Sequence, residues 1–148
     1  FNSNEALIPE LITDPRIMIG LSDGGAHVDA LCDAGYCTYL LGHWVREKEV
    51  MTLERAIQRI TTEPANLFGI TQRGRIAEGL AADFAIFDLT TVGSDKTGEM
   101  RYDLPGGGRR LVVPSRGIEY TVVNGDILYA HGKDSGARTG TVLRSGEA

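Results

Sequence analysis

Arg16-Ile-Met-Ile-Gly-Leu-Ser-Asp-Gly-Gly-Ala-His-Val-Asp29 is the stretch on which the reading of this chain turns. Ile17, Met18, Ile19 and Leu21 form a short apolar run without alternation, which predicts a strand buried on both faces, as in a parallel sheet. The run stops at Asp23, followed by Gly24 and Gly25. In α/β sheets and barrels the carboxyl ends of strands are where active sites are built, and glycines there admit close approach of backbone or ligand. A plain turn, with Asp23 bonded to its own backbone, accounts for the same four residues Ser22 to Gly25.

Outward from this stretch the period is helical. Leu7, Ile8 and Leu11 precede it at helical spacing, and Thr13-Asp14-Pro15 breaks the run, so a short helix or turn feeds the strand. After it, Tyr36, Tyr39, Leu40, His43 and Trp44 recur every three or four residues and predict a helix from about Gly35 to Lys48. Leu53, Ala56, Ile57 and Ile60 repeat the pattern behind Thr52, an N-cap residue. A third short helix starts at Thr62, with Pro64 in its first turn and Gly69 at its end.

From Ile70 the period changes. Arg75 to Glu78 and Asp83 to Leu89 read as strands around a turn at Gly79, the second with Phe84, Ile86 and Asp88 on one face. Gly93 to Gly108 reads as a polar, glycine-rich connection without regular structure. Ile118 to Val123 and Asp126 to Tyr129 flank Asn124-Gly125, the strongest short hairpin signal, because both central residues must accept positive φ. The tail from Gly132 is polar and weakly specified, and no internal repeat occurs. The boundary divides the chain into residues 1–70 and 71–148.

Composition fits a globular domain: 42% hydrophobic, 24% charged, formal net charge -5. That balance argues against a nucleic-acid partner, and Arg109-Arg110 is too short for a basic patch. No apolar run is long enough to span a bilayer, so no membrane partner is expected. A chain beginning Phe1-Asn2-Ser3 is expected to have lost its natural start, and this end then carries no targeting information. Cys32 and Cys37 have no second pair to complete a structural zinc site, so free thiols in the cytoplasm are the expectation.

Ser22-Asp23-Gly24-Gly25, Trp44-Val45-Arg46-Glu47, Thr61-Thr62-Glu63-Pro64-Ala65, Arg73-Gly74-Arg75-Ile76, Gly79, Ala82-Asp83 and Val123-Asn124-Gly125 follow one another as in the amidohydrolase superfamily. The series most resembles its D-aminoacylase (N-acyl-D-amino-acid deacylase) branch. The resemblance implies an α/β fold in which residues 1–70 are the last strand and following helices of a (β/α)8 barrel, and residues 71–148 are part of a small β-sandwich. Each part is incomplete. A single parallel strand makes no sheet, so Ile17 to Leu21 is expected to pair with strands from another polypeptide, most simply the N-terminal remainder of the same enzyme.

The resemblance also implies a chemistry. A divalent metal lowers the pKa of bound water to about 7 and polarises a carbonyl, and a carboxylate beside it relays the proton to the departing nitrogen. By resemblance that carboxylate is Asp23, which also touches the metal, zinc, one ion or two, while histidines and a cysteine on earlier strands supply the other ligands. Ser22, Gly24, Gly25 and His27 are the candidate substrate-binding residues. His27 could bind a substrate carboxylate, join the metal shell, or be a loop histidine bonded to backbone. His43 reads as a packing residue and His131 as a surface one, and no His-x-His pair occurs. Where D-aminoacylases have a His-Pro-Arg segment, this chain has Val28 to Tyr36, so its substrate is expected to differ.

The expected activity is hydrolysis of a linear amide C–N bond, as in an N-acyl amino acid. A cyclic-amide hydrolase or deaminase of the same superfamily, and a non-catalytic assembly domain, are the alternatives. Expected partners are a small-molecule amide substrate and the remainder of the enzyme, with homo-oligomerisation left open.

Overall fold

The structure is a computed structural model that describes residues 4–20, 22, 24–95 and 97–144. Asp23 and Leu21, on which the opening stretch turns, lie outside the described residues.

A 3-10 turn at Glu5–Leu7 leads into α1, Ile8–Thr13, which ends before Asp14-Pro15. The next residues, Ile17 to Gly20, run as irregular backbone, with Ile17 exposed. No strand forms there because a doubly buried parallel strand is made by its neighbours, and every described strand pair in this chain is antiparallel.

α2 spans Tyr36–Tyr39 and continues without a break as a π-helix over Leu40–Glu47. The expected helix is therefore present, but its bonding widens to i→i+5, as when the Lys48 N–H donates to the His43 carbonyl at 2.9 Å. The wider turn sends Leu40, Leu41, Trp44 and Val45 inward, while Tyr36 and Tyr39 stay exposed. α3, Leu53–Ile60, is capped by Thr52, whose hydroxyl accepts from the Arg55 N–H at 3.2 Å. α4, Thr62–Leu67, carries Pro64 in its first turn, and Gly69 follows it at φ 70°.

The strand expected over Arg75 to Glu78 is not formed. Arg75 instead donates to the Asn66 side chain on α4 at 2.6 Å, the Ala81 N–H closes the segment onto the Gln72 carbonyl, and Ile76 is 86% exposed. The turn at Gly79 is present. Among the described residues eight short strands follow: β1 Phe84–Phe87, β2 Gly93–Ser94, β3 Glu99–Leu104, β4 Gly108–Val112, β5 Ser115–Arg116, β6 Ile118–Val123, β7 Asp126–Ala130 and β8 Lys133–Asp134. They form a four-stranded sheet in the order β1-β6-β7-β8 and two ribbons, β2-β5 and β3-β4. A bulge between Ile86 and Phe87 interrupts the expected alternation: Phe84 and Phe87 are half-buried and Ile86 is exposed. The β6–β7 hairpin turns through Asn124 at φ 52° and Gly125 at φ 88°, the left-handed pair its sequence demands.

Gly93 to Gly108 is not an irregular connection. It holds β2, β3 and a tight turn at Pro105–Gly107 that returns the chain into β4. The polar residues of β3, exposed along all but its last position, carry no alternation from which the pairing could be read.

One buried cluster, Leu40, Leu41, Trp44, Val45, Ala56 and Val92, joins the helices to the strands. Gly42 makes this possible: a Cβ there would lie 2.6 Å from the Val92 carbonyl oxygen and 2.9 Å from the Gly93 Cα, so the helix can meet the chain before β2 only where a side chain is missing. Arg46 fastens the same contact by donating to the Leu89 and Val92 carbonyls at 3.2 and 2.5 Å.

Candidate functional site

The loop after Gly20 is built from local bonds. The Ser22 hydroxyl accepts from the Gly24 N–H at 3.2 Å, while the Asp23 bond of the turn reading lies outside the described residues. Gly25 sits at φ 101°, a conformation only glycine adopts easily, with nothing within 4 Å of where a Cβ would be. His27 is exposed at φ 48°, and its carbonyl accepts from the Ala30 and Leu31 N–H groups at 2.8 and 3.0 Å. A residue other than glycine held at positive φ is uncommon and turns the chain sharply here.

This loop is fastened from two sides. The run into it is held by Arg59 of α3, whose side chain is 1% exposed. Arg59 Nε donates to the Ile12 carbonyl at 3.2 Å, Nη1 to Glu63 Oε2 at 2.8 Å, and Nη2 to the Ile17 carbonyl. Burial pushes the Glu63 carboxyl up, but bonds from Arg59 and Arg55 outweigh it and leave it below its ordinary value, so the buried arginine faces an ionised partner. Beyond His27, the Leu111 N–H donates to the Val28 carbonyl at 2.6 Å and Arg109 Nη2 donates to Asp29 Oδ2 at 3.3 Å. The β3–β4 ribbon is thereby attached to the residues directly following His27.

Neither Arg59 nor Arg109 stands out in the sequence. Arg59 falls four residues before Glu63 in the α3–α4 run, a spacing that signals an ion pair, but its reach to Ile12 and Ile17 has no local mark. Arg109 is marked only as half of the short Arg109-Arg110 pair, because its contact with Asp29 depends on the unforeseen β3–β4 pairing.

The other histidines are accounted for. His43 stacks on Tyr39 at 4.8 Å and meets Trp44 edge-on at 4.7 Å, with its ring nitrogens 3.0 Å from Glu47 and 3.2 Å from Glu5. His131 lies 2.7 Å from Glu119 and 3.2 Å from the Tyr120 hydroxyl, beside an open depression on the four-stranded sheet lined by Ser115, Ile118, Thr121 and Tyr129. His131 itself lines that depression, which contains none of the candidate catalytic, metal-binding or substrate-binding residues. Cys32 and Cys37 are free, and burial raises the Cys37 thiol above its ordinary value.

Among the described residues no group of three or more His, Cys, Asp or Glu side chains is placed to hold a metal ion. No described helix is long and apolar enough to cross a membrane.

Several other motif residues meet in a second place. Arg73 donates to Asp83 and, at 2.7 Å, to Asn124 Oδ1; the Asn124 N–H donates to Asp83 Oδ1 at 2.8 Å; and the Gly125 N–H donates to the Ala82 carbonyl at 2.9 Å. Gly74, at φ 84°, packs so close to α4 that a Cβ would lie 2.6 Å from that of Ala65, while the Thr62 hydroxyl donates to its carbonyl. This cluster is a clasp between helices and sheet.

A family model described as "Amidohydrolase family" matches residues 3–129. The chain is 39% identical over 110 residues to N-acyl-D-glutamate deacylase from Alcaligenes xylosoxydans xylosoxydans, covering 74% of this chain and 20% of that protein. Among solved structures, a D-aminoacylase studied for its binuclear metal centre superposes with a TM-score of 0.69 at 26% identity, covering 92% of this chain and 27% of that one. N-acyl-D-glutamate deacylase from Bordetella bronchiseptica, complexed with zinc and a phosphonate inhibitor, superposes with a TM-score of 0.55 at 36% identity, covering 74% and 21%. The chain thus spans about a fifth to a quarter of the length of these relatives. Its helices and antiparallel strands are of the barrel-plus-sandwich class expected from the sequence, and the chain belongs to the amidohydrolase family.

Proposed function

We propose that this chain is the C-terminal portion of a metal-dependent amidohydrolase that cleaves the linear amide C–N bond of an N-acyl amino acid. The observation that carries this reading is the family match over residues 3–129, which takes in Ser22-Asp23-Gly24-Gly25. Residues 1–70 are proposed as the end of the catalytic barrel and residues 71–148 as part of the small sandwich. The cytoplasm is its proposed location, to which the two free thiols are suited.

In this reading Asp23 is the general acid/base. Its carboxylate takes the proton of the attacking water as the C–O bond forms, then delivers it to the nitrogen as the C–N bond breaks. Ser22, Gly24, Gly25 and exposed His27 border the substrate, the glycines leaving room for it against the backbone. Zinc is the proposed metal, with Asp23 as one ligand and the others supplied by the rest of the enzyme.

Asp23→Asn in the complete enzyme tests the role. It is expected to lower kcat by on the order of a hundredfold or more, while metal content falls less than activity. Unchanged turnover with the metal still bound would remove Asp23 from the mechanism.

A further inference from the structure

We propose that Arg59 of α3 is a positioning residue for Asp23: its guanidinium fixes where the run Ile17 to Gly20 starts, and so where the general acid/base that follows it stands. This rests on the amide-hydrolase reading above. Among the described residues Ile17 to Gly20 belongs to no strand pair, so no ladder holds its register. Its start is held instead by Arg59 Nη2, which donates to the Ile17 carbonyl, and by the Ile17 N–H, which donates to the Asp14 carbonyl at 3.1 Å. The same guanidinium donates through Nε to the Ile12 carbonyl on α1 and through Nη1 to Glu63 on α4. A planar fork offers its donors at set angles, so one side chain ties α1, α4 and the run toward Asp23 into a single arrangement.

Burial points the same way. Arg59 is 1% exposed. Taking a guanidinium out of water costs several kcal/mol, and an apolar side chain of similar volume commonly serves a core as well, so an arginine here answers to the geometry of its bonds. That geometry has a long reach. An extended chain advances about 3.3 Å per residue, and a slip of one residue reverses the face to which every later side chain points. A misplacement of about 1 Å at a reacting group is enough to cost on the order of a hundredfold in rate.

A double-mutant cycle in the complete enzyme tests the proposal. Arg59→Met removes the fork but leaves Glu63 its bond from Arg55. It is expected to lower kcat tenfold or more, to leave KM within about twofold, and to raise amide hydrogen exchange over residues 17–20, read by mass spectrometry. In the Asp23→Asn background the same substitution changes kcat less than twofold, because the group it positions is already disabled. Arg59→Lys keeps the charge beside Glu63 without the fork, recovers part of the loss, and carries the same cycle if Arg59→Met does not fold. No loss of kcat, an equal loss in both backgrounds, or unchanged exchange over residues 17–20 would overturn the proposal and leave Arg59 a structural residue. Unchanged turnover in Asp23→Asn alone would instead sink the acid/base reading, and this inference with it.

Discussion

Asp83 shows how single residues in this chain serve two elements at once. Burial pushes its carboxyl up, but the Asn124 N–H and the Arg73 guanidinium outweigh that and hold it below the ordinary carboxylate range. A depressed carboxyl stabilises the fold fully above the ordinary range and loses that contribution as pH falls through its folded value. Asp83→Asn is therefore expected to cost about 1–3 kcal/mol near neutral pH and progressively less as pH falls below the ordinary carboxylate range, measured by urea unfolding across that range. At this scale the sequence was partly legible. Ala82-Asp83 and Asn124-Gly125 were visible as motifs and as a turn, but their union through Arg73 was not, because a side-chain bond across 51 positions leaves no period or spacing to read. Arg109, legible only as half of a short basic pair, has its bond to Asp29 hidden for the same reason.

Among elements, legibility followed how much of the driving force is local. α3 and α4 could be read because Thr52, Pro64 and Gly69 act within one turn of where they stand, and the β6–β7 hairpin because its turn residues dictate their own φ. The π-helix could not be read: Leu40 to Glu47 has an apolar pattern that fits 3.6 residues per turn, and the wider turn answers to Val92 and Gly93 packed beside Gly42. Ile17 to Gly20 failed in the opposite sense, carrying a strand's composition without a strand's neighbours. Gly42→Ala is expected to destabilise the protein by about 1–3 kcal/mol, because the added methyl meets backbone atoms that cannot swing aside. A thermal melt lowered relative to the parent would bear this out; an unchanged melt would mean that the helix can shift.

Taken whole, the molecule keeps a small core and a large uncovered apolar surface. Leu7, Leu11 and Ile17 are exposed around α1, and Leu67 and Phe68 at the end of α4. The chain spans a fifth to a quarter of its relatives' length, and its described residues make no metal centre. The 148-residue chain alone is accordingly expected to bind no stoichiometric zinc and to hydrolyse no N-acyl amino acid, since a tight site needs three protein ligands and an open position. Metal analysis of the purified chain, with an amide-hydrolysis assay, decides this; zinc at one equivalent with turnover would refute it.

The clasp at Asn124 also bears on how the protein ages. Asn-Gly is the dipeptide most prone to deamidate, because the glycine nitrogen can attack the preceding side-chain amide and close a succinimide ring. Here the attacking Gly125 N–H is occupied by the Ala82 carbonyl, and the Asn124 amide is gripped at both ends, its oxygen by Arg73 and its nitrogen by the Thr139 carbonyl at 2.6 Å. Ring closure must break the Gly125 N–H bond and swing the Asn124 side chain out of its grip, so the turn that the sequence makes chemically fragile is shielded for as long as the chain stays folded. Incubation followed by peptide mapping is expected to find Asn124 largely intact in the parent and converted faster in Arg73→Ala, where one of those restraints is gone and the hairpin's lifetime becomes the clock.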